Sequence, residues 1–159
     1  MITHDELKSL FSYDPSVGVF IRKIDRGPFK AGITAGTKGN QGYIRIQIGK
    51  KIYGGHQLAW MYIHGEFPSK LMDHINSIRH DNRIENLRLV TPSENTQNLK
   101  KARSDNGSGL LGVTPIDGKW VSRIMLNGKS FYLGYFETPE LAHTAYINAK
   151  RQIHSTCTI

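Results

Sequence analysis

The stretch 72–95, MDHINSIRHDNRIENLRLVTPSEN, sets a carboxylate, an imidazole and several amides close together. Asp73 and Asn95 offer a carboxylate and an amide oxygen. Both are hard donors of the kind that Mg2+ or Mn2+ prefers. His74 follows Asp73 directly, and an imidazole titrating near neutrality can take a proton from an attacking water. Two protein ligands leave coordination positions open for water and phosphate oxygens, as hydrolysis of a phosphodiester requires. Taken singly, an Asn is an ordinary cap or turn residue and an Asp-His pair says little. The order Asp-His, loop, Asn, apolar run, helix cap, Asn carries the argument.

These groups must be positioned by the elements around them. Met72-Asp73-His74 is expected to end a short strand, with Leu71 adding to the core, and residues 75–84 to form a polar loop. Asn86–Val90 reads as a second strand with Leu87 and Leu89 on one face. Thr91-Pro92-Ser93-Glu94 has the capping-box pattern with Pro at the first helical position, so a helix is expected through about Lys101 with Asn95 in its first turn. In a strand–strand–helix unit of this kind the end of the first strand can face the first turn of the helix. Asp73 and Asn95 would then converge.

On these elements the stretch resembles the HNH nucleases, whose site is a ββα-metal motif, and in particular phage and intron-encoded homing endonucleases. Asp73-His74, Asn86-Leu87 and Ser93-Glu94-Asn95 carry the resemblance, together with the upstream GYIRIQI, HQLAW and HGEFP segments. It covers residues 10–100. The resemblance implies His74 as general base, Asp73 and Asn95 as metal ligands, and Asn86 as the residue bracing the loop. Asn82 competes for the bracing role; Asn86 is preferred because it begins the Asn-Leu pair. Arg45, Arg79, His80, Asn82 and Arg83 are expected to contact DNA. His56 and His64, flanking a short predicted helix, are expected to be structural.

The rest of the chain supplies supporting elements. Thr3–Glu6 forms another capping box, opening a helix to about Phe11. Asp14-Pro15 marks a turn before a strand, and the Gly-rich segment 27–42 reads as loop. In residues 43–48, Ile44, Ile46 and Ile48 alternate with Tyr43, Arg45 and Gln47, the pattern of a half-buried strand, and Gly49-Lys50 turns it into a hairpin. Residues 56–63 suit a helix ended by Gly65 and Pro68.

Polar residues 104–108 read as a linker, giving expected domains at 1–103, with a core at about 70–101, and at 109–155. In the second, Asp117-Gly118 and Asn127-Gly128 are hairpin turns. Thr138 with Pro139 starts a helix in which Leu141, Ala142, Ala145, Tyr146 and Ala149 recur at helical spacing. A three-stranded antiparallel sheet packed on one helix follows. Residues 109–153 are similar to an AP2 domain through GV, GKW, NGK and YLGYFETPELA, which implies a DNA-binding sheet. Alternation places Trp120, Ser122, Ile124, Phe131 and Leu133 inward and Val121, Arg123, Met125, Ser130 and Tyr132 outward. Lys119, Arg123, Lys129 and Tyr132 are the candidate DNA contacts. With a single arginine on that face, they suit phosphate gripping better than base reading.

The formal charge of +8 and pI of about 9.7 point to a polyanionic partner. One cysteine, Cys157, excludes an internal disulfide framework and a Cys-pair zinc ribbon. No apolar run reaches membrane-spanning length and MITHDELKSLF lacks the layout of a signal peptide, so a cytoplasmic protein is expected; the resemblance to phage nucleases implies that it is phage-encoded. The expectation is an α+β nuclease hydrolysing double-stranded DNA with Mg2+ or Mn2+, needing no obligate protein partner. The alternative is a non-catalytic DNA-binding regulator with a vestigial site.

Overall fold

The computed structural model describes residues 1–97, 102 and 106–153. They form a mixed α+β fold of small antiparallel sheets with four α-helices among the described residues. The chain divides into two compact units, one ending at Val90 and one beginning at Thr91.

The first unit opens with α1 (His4–Leu10). Thr3 caps it by accepting the Glu6 N–H at 3.2 Å. β1 (Phe11–Asp14) and β2 (Val19–Arg22) form a hairpin whose burial alternates, Phe11, Tyr13 and Phe20 pointing into the core. The Gly-rich segment expected to be loop contains two short strands, β3 (Thr34–Ala35) and β4 (Thr37–Lys38), which extend two different sheets. β5 (Ile44–Ile48) and β6 (Lys51–Gly54) make the second hairpin and bury Ile46 and Ile48. α2 (Gly55–His64) lays Leu58, Ala59 and Met61 on the same core, and Gly65 ends it at φ 83°.

β7 (Leu71–His74) pairs with β8 (Leu87–Val90) in an antiparallel ribbon, Asp73 opposite Arg88 and His74 opposite Leu87. Two expectations need correction here. Leu71 is 50% exposed and adds nothing to the core, although Val90 directly opposite it is buried. Asn86 closes a one-turn 3-10 helix (Ile84–Asn86) rather than starting the strand, which begins at Leu87.

The second unit begins with α3 (Pro92–Gln97). Its capping box is reciprocal: Thr91 N–H donates to Glu94 Oε2 at 2.7 Å and Glu94 N–H to Thr91 Oγ1 at 3.2 Å. The expected extension of this helix to Lys101 lies outside the described residues, as do parts of the linker 104–108. β9 (Val113–Ile116), β10 (Lys119–Leu126) and β11 (Lys129–Phe136) form a meander joined by Asp117-Gly118 and Asn127-Gly128, all four at positive φ. α4 (Pro139–Ile153) packs across all three strands through a stripe of Ala142, Tyr146 and Lys150, while Leu141 is exposed.

Strand alternation fails at one place. The pairing of β10 with β11 slips between Ser122, opposite Gly134, and Arg123, opposite Tyr132. Leu133 is the extra residue, a β-bulge. On β10 both Val121 and Ser122 are buried, although Val121 stands opposite exposed Tyr135, so the expected outward position of Val121 is not a solvent-facing one. Phe131, expected inward, is largely exposed.

Candidate active site

The loop between β7 and β8 is built from its own side chains. His74 begins it, accepting the Ser77 N–H on its carbonyl at 2.8 Å. Asn86 closes it from the other side: its Oδ1 accepts the Asn76 N–H at 2.9 Å and its Nδ2 donates to the Asp81 carbonyl at 2.8 Å. One side chain therefore satisfies a donor near the start of the loop and an acceptor near its middle. Asn76 adds a second tie, donating through Nδ2 to Asp81 Oδ2. Asp81 also takes a two-pronged contact from Arg83, Nε to Oδ1 at 2.9 Å and Nη2 to Oδ2 at 2.8 Å. The Arg83 guanidinium, with Asn76, holds the Asp81 carboxyl well below the usual carboxylate range.

His74 is 5% exposed at the end of β7. Its Nε2 meets Asn82 Oδ1 at 3.2 Å. Burial lowers its pKa from the ordinary value, partly opposed by the Asn82 bond and by the nearby Asp73 and Asp81. Its ring sits 5.4 Å from that of His56, edge to face, and 5.8 Å from Tyr43, which is itself 5.3 Å from His56. The Arg79 guanidinium covers Tyr43 at 5.1 Å and donates to the Gln41 carbonyl. His56 is packed tightly enough that desolvation, helped by His74, pushes its pKa down to about 4. Its Nδ1 is buried without a hydrogen bond.

Asp73 faces Arg88 across the ribbon. Arg88 Nη2 and Nε reach the same oxygen, Oδ2, at 2.8 and 3.0 Å. Asn95 stands exposed in the first turn of α3, and its N–H bonds the Thr91 carbonyl. Among the described residues no group of three or more His, Cys, Asp or Glu is assembled that could hold a metal ion. The donor types still fit a hard divalent cation. Asp73 is a partly exposed carboxylate and Asn95 an exposed amide, each a hard oxygen donor.

The remaining predicted residues separate into two groups. Arg45, Arg79 and His80 are exposed in the first unit, with His80 and Asn82 bordering a cleft of about 110 Å3 between β2, β3 and β5. Arg83 is partly exposed and ion-paired to Asp81 and Glu85. Asn82 is different: at 2% exposure it cannot reach DNA, and its expected DNA contact is replaced by the bond to His74. In the second unit Lys119, Arg123, Lys129 and Tyr132 are all exposed, Lys119 paired with Glu137 at 2.9 Å. Tyr132 and Tyr135 pack edge to face at 5.7 Å on the sheet surface.

Sequence reasoning missed three contributors to the His74 environment: Tyr43, His56 and the Asn82 side chain. A partial signal existed for His56, which opens a predicted helix directly after a hairpin whose first strand alternation placed on the core.

Residues 53–97 match the HNH endonuclease family model, a segment that contains Asp73, His74, Asn86 and Asn95. The match supports a nuclease acting on DNA. No curated protein and no solved structure matches the chain. No described helix is long and apolar enough to cross a membrane.

Proposed function

We propose that the protein is a metal-dependent DNA endonuclease of the homing type, in which a nuclease module cuts and the β9–β11 unit, AP2-like in sequence, strengthens binding. The observation that carries this reading is His74, buried at a strand end beside Asp73 and hydrogen-bonded through one ring nitrogen, inside the segment that matches the HNH endonucleases. His74 removes a proton from the attacking water. Its depressed pKa keeps the ring neutral, and so competent as a base, at physiological pH. Asp73 and Asn95 would hold Mg2+ or Mn2+, which when bound stabilises charge on the phosphate and leaving oxygen. Asn86 keeps the loop in place, and exposed basic side chains of both units neutralise DNA phosphates. The products would carry 5′-phosphate and 3′-hydroxyl ends. Residues 1–103 and 109–155 are the proposed modules, and the site of action is the cytoplasm of a phage host.

Nicking of supercoiled plasmid tests the reading, with Mg2+ against EDTA and wild type against His74→Ala. Metal-dependent nicking that disappears in the variant supports it; equal nicking by both proteins defeats the role given to His74.

One observation favours a non-catalytic DNA-binding regulator. Arg88 places two donors on one oxygen, Oδ2, of Asp73, a carboxylate proposed to hold the metal. DNA binding without nicking at any Mg2+ or Mn2+ concentration, in wild type and Arg88→Ala alike, would establish that alternative.

A further inference from the structure

We infer that Asn82 is a positioning residue that fixes the proton of His74 on Nε2 and so leaves Nδ1 as the nitrogen that accepts a proton. The kinetic part of this inference rests on the nuclease reading; the structural part does not. Three observations carry it. First, the bond from His74 Nε2 ends on Asn82 Oδ1 at 3.2 Å. An amide oxygen only accepts, so the ring nitrogen facing it must carry the hydrogen. Nδ1 makes no hydrogen bond within the described residues and keeps its lone pair.

Second, Asn82 is itself held by distant parts of the first unit. Tyr13, on β1, donates its hydroxyl to the Asn82 carbonyl at 2.6 Å. Burial and the nearby Asp14 and Asp81 push the Tyr13 pKa up to about 12, so the donor hydrogen stays in place across the working range. Pro15 of the same hairpin turn accepts the Ile84 N–H at 3.3 Å.

Third, two glycines let the chain close in on Asn82. Gly18, at φ 73° in the β1–β2 turn, lies so close that a Cβ there would collide with the backbone at Asn82 and Arg83. At Gly55, the first residue of α2, a Cβ would sit 2.7 Å from Asn82 Nδ2. A buried residue tied at its backbone carbonyl and closely approached on two sides is a preorganised support for the base, the kind of outer contact whose loss costs about 10–100-fold in activity.

The test reads the ring directly. Two-bond nitrogen–proton spectra of imidazole-labelled full-length protein, recorded above the imidazole titration range, distinguish the two tautomers; His74 is assigned by the signals lost in His74→Ala. Wild type should show the Nε2–H form. Asn82→Asp, which keeps an acceptor at the same place, should retain it, and Asn82→Ala should give a mixture. In nicking assays Asn82→Ala should lower kcat about 10–100-fold with little change in KM. Tyr13→Phe keeps the core ring and removes only the hydroxyl, so it serves if Asn82→Ala does not fold; a severalfold fall in kcat is expected. An Nδ1–H ring in wild type overturns the inference, as does a full Nε2–H signal in Asn82→Ala. Unchanged kcat in both folded variants also overturns it. If wild type cuts no DNA but its Nε2–H signal is lost in Asn82→Ala, the positioning stands and the nuclease reading falls.

Discussion

The β7–β8 loop and the outer face of the β9–β11 sheet are both rich in polar and charged groups, but they use them in opposite ways. In the loop, His74, Asn76, Asp81, Asn82, Arg83 and Asn86 bond one another or the loop backbone, and the central amides are buried. On the sheet, Arg123, Lys129, Tyr132 and Tyr135 project into solvent. A group that must meet a reacting atom gains from being held in one orientation before substrate arrives. A group that must meet phosphates gains from long, mobile side chains that adjust to the backbone they find. The first arrangement concentrates its effect in rate and stability, the second in affinity.

Substitutions can break that distinction. The largest effect is expected for His74→Ala: about 10²–10⁴-fold slower nicking at saturating protein, with DNA affinity unchanged. Gel-shift titration beside the nicking assay measures both, and a parallel fall in affinity would mean that His74 is a binding residue.

Asn86→Ala comes next. It strands the Asn76 N–H and the Asp81 carbonyl, so urea unfolding should show a loss of about 1–3 kcal/mol. A loss below a few tenths would mean that water replaces the brace and the loop is not preorganised.

His56 gives a smaller, pH-dependent effect. Its pKa falls from 6.5 unfolded to about 4 folded, so below 6.5 the unfolded chain binds the proton first. Stability is fully present above pH 6.5 and declines as pH falls toward 4, by at most about 1.4 kcal/mol per pH unit from this residue. His56→Phe should flatten that part of the stability curve, measured by denaturant midpoints across the range. The smallest effect belongs to the sheet. Lys129→Ala should leave cleavage at saturation intact and reduce the log–log salt slope of binding by roughly 0.9. A fall in saturated cleavage comparable with that of the loop variants would erase the contrast between the two regions.

Much of the local structure was legible because its signals are local. Thr3, Thr91 and Thr138 cap the helices they were expected to cap, and the Asp-Gly and Asn-Gly pairs make the turns they encode. What escaped depends on partners far away in sequence. Nothing near Asn82 announces that Tyr13 will bond its carbonyl, and nothing near His74 announces His56. Arg88 opposite Asp73 was within reach, because pairing the two strands end to end makes them neighbours. Val121 and Phe131 escaped for a different reason: alternation assigns a face but not what covers it, so Phe131 is exposed although it stands opposite buried Ile124, and Val121 is buried although it stands opposite exposed Tyr135.

The close approach of Gly18 to residues 82 and 83 bears on how this nuclease-like element could be transplanted. A fragment cut to residues 70–97 would contain the residues proposed for catalysis yet leave behind the hairpin against which its loop is moulded. A chimera that keeps the loop's shape must therefore begin no later than Phe11, the start of β1. By the same logic, homologous exchange of the segment between proteins should succeed only when the donor's hairpin turn travels with it.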